Sequence, residues 1–323
     1  MRRALLGQMT RALLALCLIG AVLLMGACGG RPAPTKVSLQ LNWLHEAEFA
    51  GYYVAQAKGF YAAQGLDVTI FEGGPGTPAR DRVMNGDVTF AVTSFGEQRD
   101  LVAAGKPAVA VMAAFQIPPL TIFSLAASKI ADPRDLVGKK VGVTTDYWRK
   151  ILEQTLTAAG VDPAGVTEVK VGVNDLEKLY DGTVDAWLGY AQDEPIRATV
   201  AGHAVTNIFP ADFGIGGYEG LVIATQSTID ASPDMVRAFV KASEDGWRYA
   251  IEHPNEAAKI LATWAKGTSV DFQELAVRAV SPLVDTPQVP IGWIDPARWQ
   301  QLMGGSSDPN HPGFTMKFSP ATP

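Results

Sequence analysis

Cysteine is scarce in this chain, which contains only Cys17 and Cys28 among its 323 residues. Cys17 falls inside an N-terminal segment that we expect to be removed, so a mature chain would keep one thiol. One thiol excludes an internal disulfide, a cysteine-based metal cluster and a redox-active cysteine pair.

An excess of positive charge is also missing. The 27 Lys and Arg residues are outnumbered by 33 Asp and Glu residues, which gives a formal net charge of -6. Nucleic-acid partners favour a basic stripe or patch, so no nucleic-acid partner is expected. The hydrophobic fraction of 47% suits a globular protein with a large core.

Familiar catalytic and metal-binding patterns are missing as well. The four histidines, His45, His203, His253 and His311, show no metal-ligand spacing. The sequence contains neither a Gly-x-Ser-x-Gly nucleophile elbow nor a Gly-x-x-x-x-Gly-Lys-Ser/Thr phosphate loop. We therefore predict that the protein is not an enzyme and that it uses no metal and no cofactor.

The N-terminus has the pattern of an export signal. Arg2, Arg3 and Arg11 precede the apolar stretch Ala12–Leu24. This stretch is short for a membrane span and suits the apolar region of a signal peptide.

The end of this stretch, Met25-Gly26-Ala27-Cys28, resembles a bacterial lipobox, although Met25 departs from the usual Leu. The resemblance implies a signal peptide over 1–27, lipid attachment to Cys28 and a tether over 28–35. The protein would then be held on the extracytoplasmic face of the cell membrane. An ordinary signal peptide and an uncleaved anchor are the alternatives.

Strand and helix patterns alternate along the rest of the chain, beginning with a strand at Val37 and a long helix over Phe49–Gln64. The alternation restarts after Asp135, and helices fill most of the chain beyond Ser232. This order predicts an α/β fold with two largely parallel sheets.

Two such units in series predict two lobes joined by hinge strands. We expect lobe 1 to comprise 36–122 and 226–323, and lobe 2 to comprise 123–225. The predicted crossings lie near Thr121–Ala126 and Leu221–Thr225.

Several short motifs, in order, resemble one protein family. The chain is similar to the periplasmic solute-binding proteins of ABC importers, in the branch that binds thiamine pyrimidine precursors or riboflavin, near the aliphatic-sulfonate and nitrate binders. The similarity extends from about Val37 to Lys259. The motifs are Leu41-Asn42-Trp43, Phe49-Ala50-Gly51-Tyr52-Tyr53-Val54-Ala55, Lys58-Gly59-Phe60-Tyr61, Gly65-Leu66-Asp67-Val68, Gly86-Asp87-Val88, Leu136-Val137-Gly138-Lys139-Lys140-Val141-Gly142-Val143 and Asp185-Ala186-Trp187.

The resemblance implies a type II periplasmic binding protein fold whose two lobes close on a small ligand. It also implies a membrane permease and a cytoplasmic ATPase as partners. We expect the protein itself to be a monomer.

Ligands of two-lobed α/β proteins bind at the carboxyl ends of strands, facing the cleft. Residues that follow predicted strands, or lead back to the hinge, are therefore candidates for ligand binding. They are Asn42, Trp43, Gly74, Ser94, Phe95, Phe115, Tyr147, Tyr190, Asp193, Glu194 and Tyr218. Glu194, which precedes Pro195, resembles the acidic residue that family members place in the cleft.

The candidate residues are rich in aromatic rings and carboxylates, and no Arg or Lys follows these strands. Such a site favours a flat aromatic heterocycle over an anion. We therefore expect riboflavin or a thiamine pyrimidine precursor, with a sulfonate or other organic anion as the alternative. Pyrimidine binders often carry His where Phe49 stands in this chain. The absence of that His weakens the pyrimidine assignment and leaves room for a larger flavin ring.

Two other functional classes stay open. The pyrimidine synthases of yeast share the implied fold, but they need a cofactor lysine, iron ligands and a cysteine-rich segment, and a mature chain with one cysteine lacks the last. A ligand sensor that signals to a membrane receptor is the other alternative, and neighbouring permease genes would separate it from an importer.

Overall fold

The computed structural model describes residues 33–74, 76–173, 175–304 and 312–319. The predicted signal peptide, 1–27, and the predicted lipidation site, Cys28, lie outside these residues. Only the last part of the predicted tether, 33–35, is described, and Thr35 already begins a strand.

The described residues form ten β-strands, and most of the side chains in these strands are buried. In chain order the strands are β1 (Thr35–Gln40), β2 (Leu66–Phe71), β3 (Phe90–Thr93), β4 (Ala108–Phe115), β5 (Leu120–Leu125), β6 (Lys140–Val143), β7 (Thr167–Lys170), β8 (Ala186–Tyr190), β9 (Val205–Ile208) and β10 (Glu219–Thr225).

Twelve α-helices occupy the described ranges between and after the strands. They are α1 (Ala50–Ala57), α2 (Phe60–Ala63), α3 (Ala79–Met84), α4 (Phe95–Ala103), α5 (Asp146–Ala158), α6 (Glu177–Tyr180), α7 (Glu194–Val200), α8 (Gln226–Ala231), α9 (Pro233–Glu252), α10 (Pro254–Leu261), α11 (Val270–Val284) and α12 (Pro296–Leu302). None of these helices is both long enough and apolar enough to cross a bilayer.

The strands form two five-stranded sheets, in the orders β2-β1-β3-β10-β4 and β7-β6-β8-β5-β9. Strand β10 runs antiparallel to both of its neighbours in the first sheet, and β5 does so in the second. The other strands of each sheet run in one direction. We call the region around the first sheet the first lobe and the region around the second sheet the second lobe.

The chain crosses between the sheets at 116–119 and again at 209–218. These crossings precede those predicted near Thr121–Ala126 and Leu221–Thr225. We predicted 36–122 and 226–323 for lobe 1 and 123–225 for lobe 2. These boundaries divide β5 between the lobes and assign β10 to lobe 2, whereas β5 belongs to the second sheet and β10 to the first. A buried strand is apolar whichever sheet it belongs to. The sequence therefore did not reveal which strands β5 and β10 would pair with.

The helix predicted over Phe49–Gln64 is interrupted in the structure. Helix α1 ends at Ala57 and α2 begins at Phe60, because Gly59 has a φ of 74° between them. A left-handed residue cannot continue a right-handed helix. The apolar spacing of the segment continues across this break, which explains why the sequence predicted one helix.

Helix α1 packs tightly against α9 in the first lobe. A Cβ atom on Gly246 would lie 2.1 Å from the carbonyl oxygen of Gly51, so the close approach of the two helices requires glycine there. The buried ring of Trp247 covers the same point of α1. This contact fixes the beginning of α1 and with it the preceding 3-10 turn, Ala47–Phe49.

Candidate ligand-binding site

A cavity of about 960 Å³ lies between the two lobes. This volume is near the upper end of the range of small-molecule sites. The first lobe contributes Asn42, Trp43, Leu44, His45, Glu46, Ala47, Glu48, Glu72, Phe115, Glu219, Gly220, Thr263, Trp264, Ala265, Lys266, Thr268, Phe272 and Gln273. The second lobe and its crossing segment contribute Pro119, Thr144, Thr145, Tyr147, Trp148, Val173, Tyr190, Gln192, Asp193, Glu194 and Arg197.

Strand direction explains the position of this cavity. Strands β1, β2, β6 and β8 run parallel within their sheets, and each ends next to lining residues. Turns after parallel strands meet at one edge of the sheet, so two facing edges enclose a cleft.

Seven of the eleven predicted binding residues line the cavity. They are Asn42, Trp43, Phe115, Tyr147, Tyr190, Asp193 and Glu194. Their side chains come from both lobes, and their roles in binding stay predictions.

The other four predicted residues do not line the cavity. Ser94 caps helix α4, where its Oγ accepts a hydrogen bond from the Glu97 backbone N–H at 3.2 Å. Phe95 is buried edge-on against Trp299. The sequence placed both at a strand end, but helix capping and core packing account for them.

Tyr218 and Gly74 are the remaining two. The buried hydroxyl of Tyr218 accepts a hydrogen bond from the Asp295 backbone N–H at 2.9 Å, on the side of the first sheet that faces α12. Gly74 has a φ of 129° and lies beside the side chain of Leu44, which itself lines the cavity.

Sequence analysis did not select several lining residues. Glu46 and Glu48 lie in the turn before α1, and the charged pair in an otherwise apolar segment was a signal that could have found them. Trp264 and Gln273 come from the late helical region, whose return to the cleft the sequence pattern does not show. Glu219 begins β10, the strand that was assigned to lobe 2.

Aromatic rings form two groups in the cavity wall. In the second lobe, the ring of Trp148 lies edge-on to Tyr147, at 5.4 Å between centroids, and to Tyr190, at 5.1 Å. In the first lobe, Trp264 stacks on Tyr53 at 4.9 Å. Tyr53 Oη is 2.6 Å from Nδ1 of His45, and this contact orients the imidazole.

Carboxyl groups converge on the same cavity. Burial raises the pKa of Glu46 and Glu219 well above the ordinary range, and the nearby Glu48 carboxyl adds to both shifts. Burial also raises the pKa of Glu48 and of Glu194 to about 7 in each case. Within the described ranges, no group of three or more His, Cys, Asp and Glu side chains is arranged to hold a metal ion.

Glu194 is held at the end of β8 by the backbone. Its Oε2 accepts a hydrogen bond from the Tyr190 N–H at 2.8 Å. A Cβ atom on Gly189 would lie 2.4 Å from the same oxygen, so glycine at this position lets the carboxyl group reach the strand.

The contacts between the lobes include one hydrogen bond and one cation–ring contact beside the cavity. Gln192 Nε2, in the second lobe, donates a hydrogen bond to Glu48 Oε2 of the first lobe at 3.2 Å. The guanidinium of Arg197 lies 5.4 Å from the ring centroid of Phe272 in α11, across the same boundary.

Two cations reach the cavity from outside the predicted strand ends. Arg197, in α7, forms an ion pair with Asp193 at 2.6 Å. Lys266 lies in the loop between α10 and α11. The same cavity is lined by six carboxyl groups, those of Glu46, Glu48, Glu72, Asp193, Glu194 and Glu219.

The overall architecture is that of periplasmic binding proteins. The structure aligns with the periplasmic aliphatic sulphonate binding protein SsuA of Escherichia coli at a TM-score of 0.66 and 15% identity, over 84% of this chain and 90% of that chain. The predicted fold class is thereby confirmed.

Residues 46–257 match the family described as NMT1/THI5 like, and the chain belongs to this family. It is 30% identical to the riboflavin-binding protein RibY of Chloroflexus aurantiacus, over 72% of this chain and 67% of that protein. It is 28% identical to the formylaminopyrimidine-binding protein of Halalkalibacterium halodurans, over 88% of this chain and 90% of that protein. The predicted resemblance is confirmed at the level of the family.

Some relatives have the names of enzymes. The 4-amino-5-hydroxymethyl-2-methylpyrimidine phosphate synthase of Legionella pneumophila is 26% identical to this chain, over 70% of this chain and 73% of that protein. Family membership alone therefore does not separate binding from catalysis.

Proposed function

We propose that this protein is the extracytoplasmic binding component of an ABC importer and captures a flat nitrogen heterocycle, either riboflavin or a thiamine pyrimidine precursor. The observation that carries the proposal is an interlobe cavity with aromatic rings in both walls. Rings of Trp43, Trp264 and Phe115 line it from the first lobe, and those of Tyr147 and Tyr190 from the second.

Aromatic walls suit such a ligand because stacked or edge-on rings gain about 0.5–1.5 kcal/mol beyond the burial of their area. A ligand held between two lobes also contacts both at once, and those contacts favour the closed arrangement. The names of the two relatives that bind riboflavin and formylaminopyrimidine support the same chemical class.

The cellular setting completes the proposal. The lipobox-like sequence at Cys28 supports lipid attachment after removal of 1–27. A tethered monomer on the outer face of the membrane would deliver its ligand to a permease, and a partner ATPase would supply the energy.

A synthase is the second candidate function, because several relatives carry that name. The named product of those relatives is a phosphate ester, which would have to occupy the cavity. Of the two cations among the described lining residues, Arg197 is already paired with Asp193, so a buried phosphate would find little positive charge there. We therefore place binding before catalysis.

Two measurements test the proposed ligand class. We expect riboflavin or the hydroxymethylpyrimidine to raise the melting temperature of the mature domain. We also expect either ligand to quench tryptophan fluorescence, since Trp43, Trp148 and Trp264 line the cavity. Native mass spectrometry of protein purified from cells would identify a ligand that copurifies.

An alkanesulfonate is the matched control ligand, because the structurally similar SsuA binds sulphonates by name. Stabilisation by the sulfonate, without any response to the two heterocycles, would overturn the proposed ligand class. Turnover of the pyrimidine by the purified protein would favour the synthase instead.

A further inference from the structure

The ionisable side chains of the cavity wall are mostly acidic. Six carboxyl groups line it, and Arg197 and Lys266 are the cations among the described lining residues. The charge of Arg197 is already engaged by Asp193 at 2.6 Å. The remaining ionisable lining side chains are His45, Tyr147 and Tyr190, none of which carries a fixed positive charge.

Three amide side chains of the wall present acceptors. Gln192 is 2% exposed and Gln273 is 1% exposed, and the Oε1 atom of each lacks a hydrogen-bond partner among the described residues. The same holds for Oδ1 of Asn42. Their Nε2 groups are used elsewhere, since Gln192 donates to Glu48 and Gln273 donates to Thr268 Oγ1 at 2.7 Å.

A buried acceptor without a partner costs free energy unless a ligand donates to it. These three amides therefore match a ligand with N–H or O–H groups. A phosphate group offers only acceptors and negative charge at neutral pH, so it cannot donate to the three amide oxygens.

We propose that the carboxyl-lined wall makes this site selective for uncharged or cationic heterocycles and excludes their phosphate esters. This inference rests on the proposed function and specifies the chemical class that the site admits. Glu46, Glu48 and Glu219 of the first lobe face Asp193 and Glu194 of the second, so a ligand between the lobes meets carboxyl groups on both sides.

Burial supports this selectivity. The carboxyl groups of Glu48 and Glu194 resist ionisation because they are poorly solvated, as their raised pKa values indicate. A phosphate placed beside them would add a further charge in the same poorly solvated space. Burying an anion in such a space without a countercharge to pair with it is strongly unfavourable.

The test compares each alcohol with its own phosphate. Riboflavin is paired with riboflavin 5'-phosphate, and 4-amino-5-hydroxymethyl-2-methylpyrimidine is paired with its phosphate. We expect at least one alcohol to bind in calorimetry near pH 8, where the phosphate is a dianion. We expect its phosphate to bind at least about a hundredfold more weakly.

Three variants locate the source of the selectivity. Glu48→Gln and Glu194→Gln each replace a carboxyl group by an uncharged amide of similar shape. Both carboxyl groups have a pKa of about 7 and are ionised near pH 8, so each change should narrow the ratio of the two affinities. Glu177→Gln changes an exposed glutamate on α6 outside the cavity and should leave the ratio unchanged. Thermal melts establish that each variant is folded.

The possible failures are distinct. A phosphate that binds within about threefold of its alcohol overturns the selectivity but leaves the proposed ligand class intact. An unchanged ratio in both folded cavity variants overturns the role of the carboxyl wall. If none of the four compounds binds, the proposed ligand class fails and the selectivity fails with it.

Discussion

At the scale of single residues, Trp43 is notable because 44% of its surface is exposed while its side chain lines the cavity. Large aromatic side chains are usually buried well beyond this level in folded proteins. An exposed indole at the mouth of a cleft can lose water on ligand binding without contributing much to the core. Trp299 is the opposite case, since it is fully buried between Phe95, Tyr218 and Phe314.

These two tryptophans give a matched prediction. Trp43→Ala should weaken riboflavin or pyrimidine binding about tenfold, the loss expected from a stacking ring, and should barely change the melting temperature. Trp299→Ala should instead destabilise the fold by about 3–5 kcal/mol. Fluorescence titration and urea unfolding measure the two effects, and unchanged affinity in Trp43→Ala would remove this residue from the site.

The sequence could predict individual site residues only where strand order was already clear. Trp43 follows β1 and Tyr190 ends β8, and the positions of both strands were evident from apolar runs. Ser94 fitted the same rule, but it caps a helix. Tyr218 was chosen because it leads back to the hinge, but it packs on the side of the first sheet that faces α12. Which face a strand-end residue occupies depends on tertiary packing, and the sequence pattern does not contain it.

At the scale of elements, the segment 312–319 protects the edge of the first sheet. Strand β4 is an edge strand, and Ala110 within it pairs with Phe314. Ser319 then donates a hydrogen bond at 3.1 Å to Glu244, which is buried in α9. The pairing with Phe314 uses the backbone groups of Ala110, so that part of the edge is not free to pair with another chain.

Glu244 should make stability depend on pH. Burial raises its pKa to about 7, so the folded state binds more protons than the unfolded state between about pH 4.5 and 7. The contribution of Glu244 to stability is therefore greatest at low pH and is lost as the pH rises through 7.

The variant Glu244→Gln should flatten this part of the pH profile and raise stability near pH 8, because Gln carries no charge there. Urea unfolding from about pH 5.5 to 8 measures the slope. Glu177→Gln, on the surface, serves as the control. A slope that is the same in Glu244→Gln and in the unchanged protein would contradict the assignment.

The elements themselves were largely predictable. The start of α9 at Pro233, after Ser232, follows from residues with strong positional preferences. The break at Gly59 was hidden because the apolar spacing continues across it, although glycine readily adopts the left-handed conformation found there. The sheet membership of β5 and β10 was not predictable, because it depends on partners far away in the sequence.

At the scale of the whole molecule, the contacts between the lobes include two polar or charged ones beside the cavity. The hydrogen bond between Gln192 and Glu48 is one, and the packing of Arg197 on Phe272 is the other. A single hydrogen bond contributes about 0.5–1.5 kcal/mol net. Such a contribution is enough to change the balance between open and closed arrangements by about two- to tenfold.

We therefore expect Gln192→Ala to weaken ligand binding by about two- to tenfold and to enlarge the ligand-free protein in small-angle X-ray scattering. Scattering separates closure from direct ligand contact, since only closure changes the radius of gyration without ligand. Gln154→Ala, an exposed change on α5, is the control. An identical scattering profile for Gln192→Ala would mean that this bond does not hold the lobes together.

The acidic lining of the interlobe cavity also affects how the protein should be purified. Imidazole, the usual eluent in nickel-affinity purification, is itself a small flat heterocycle that becomes a cation on protonation. It belongs to the chemical class proposed for the cleft, so protein eluted with it should be dialysed before any titration.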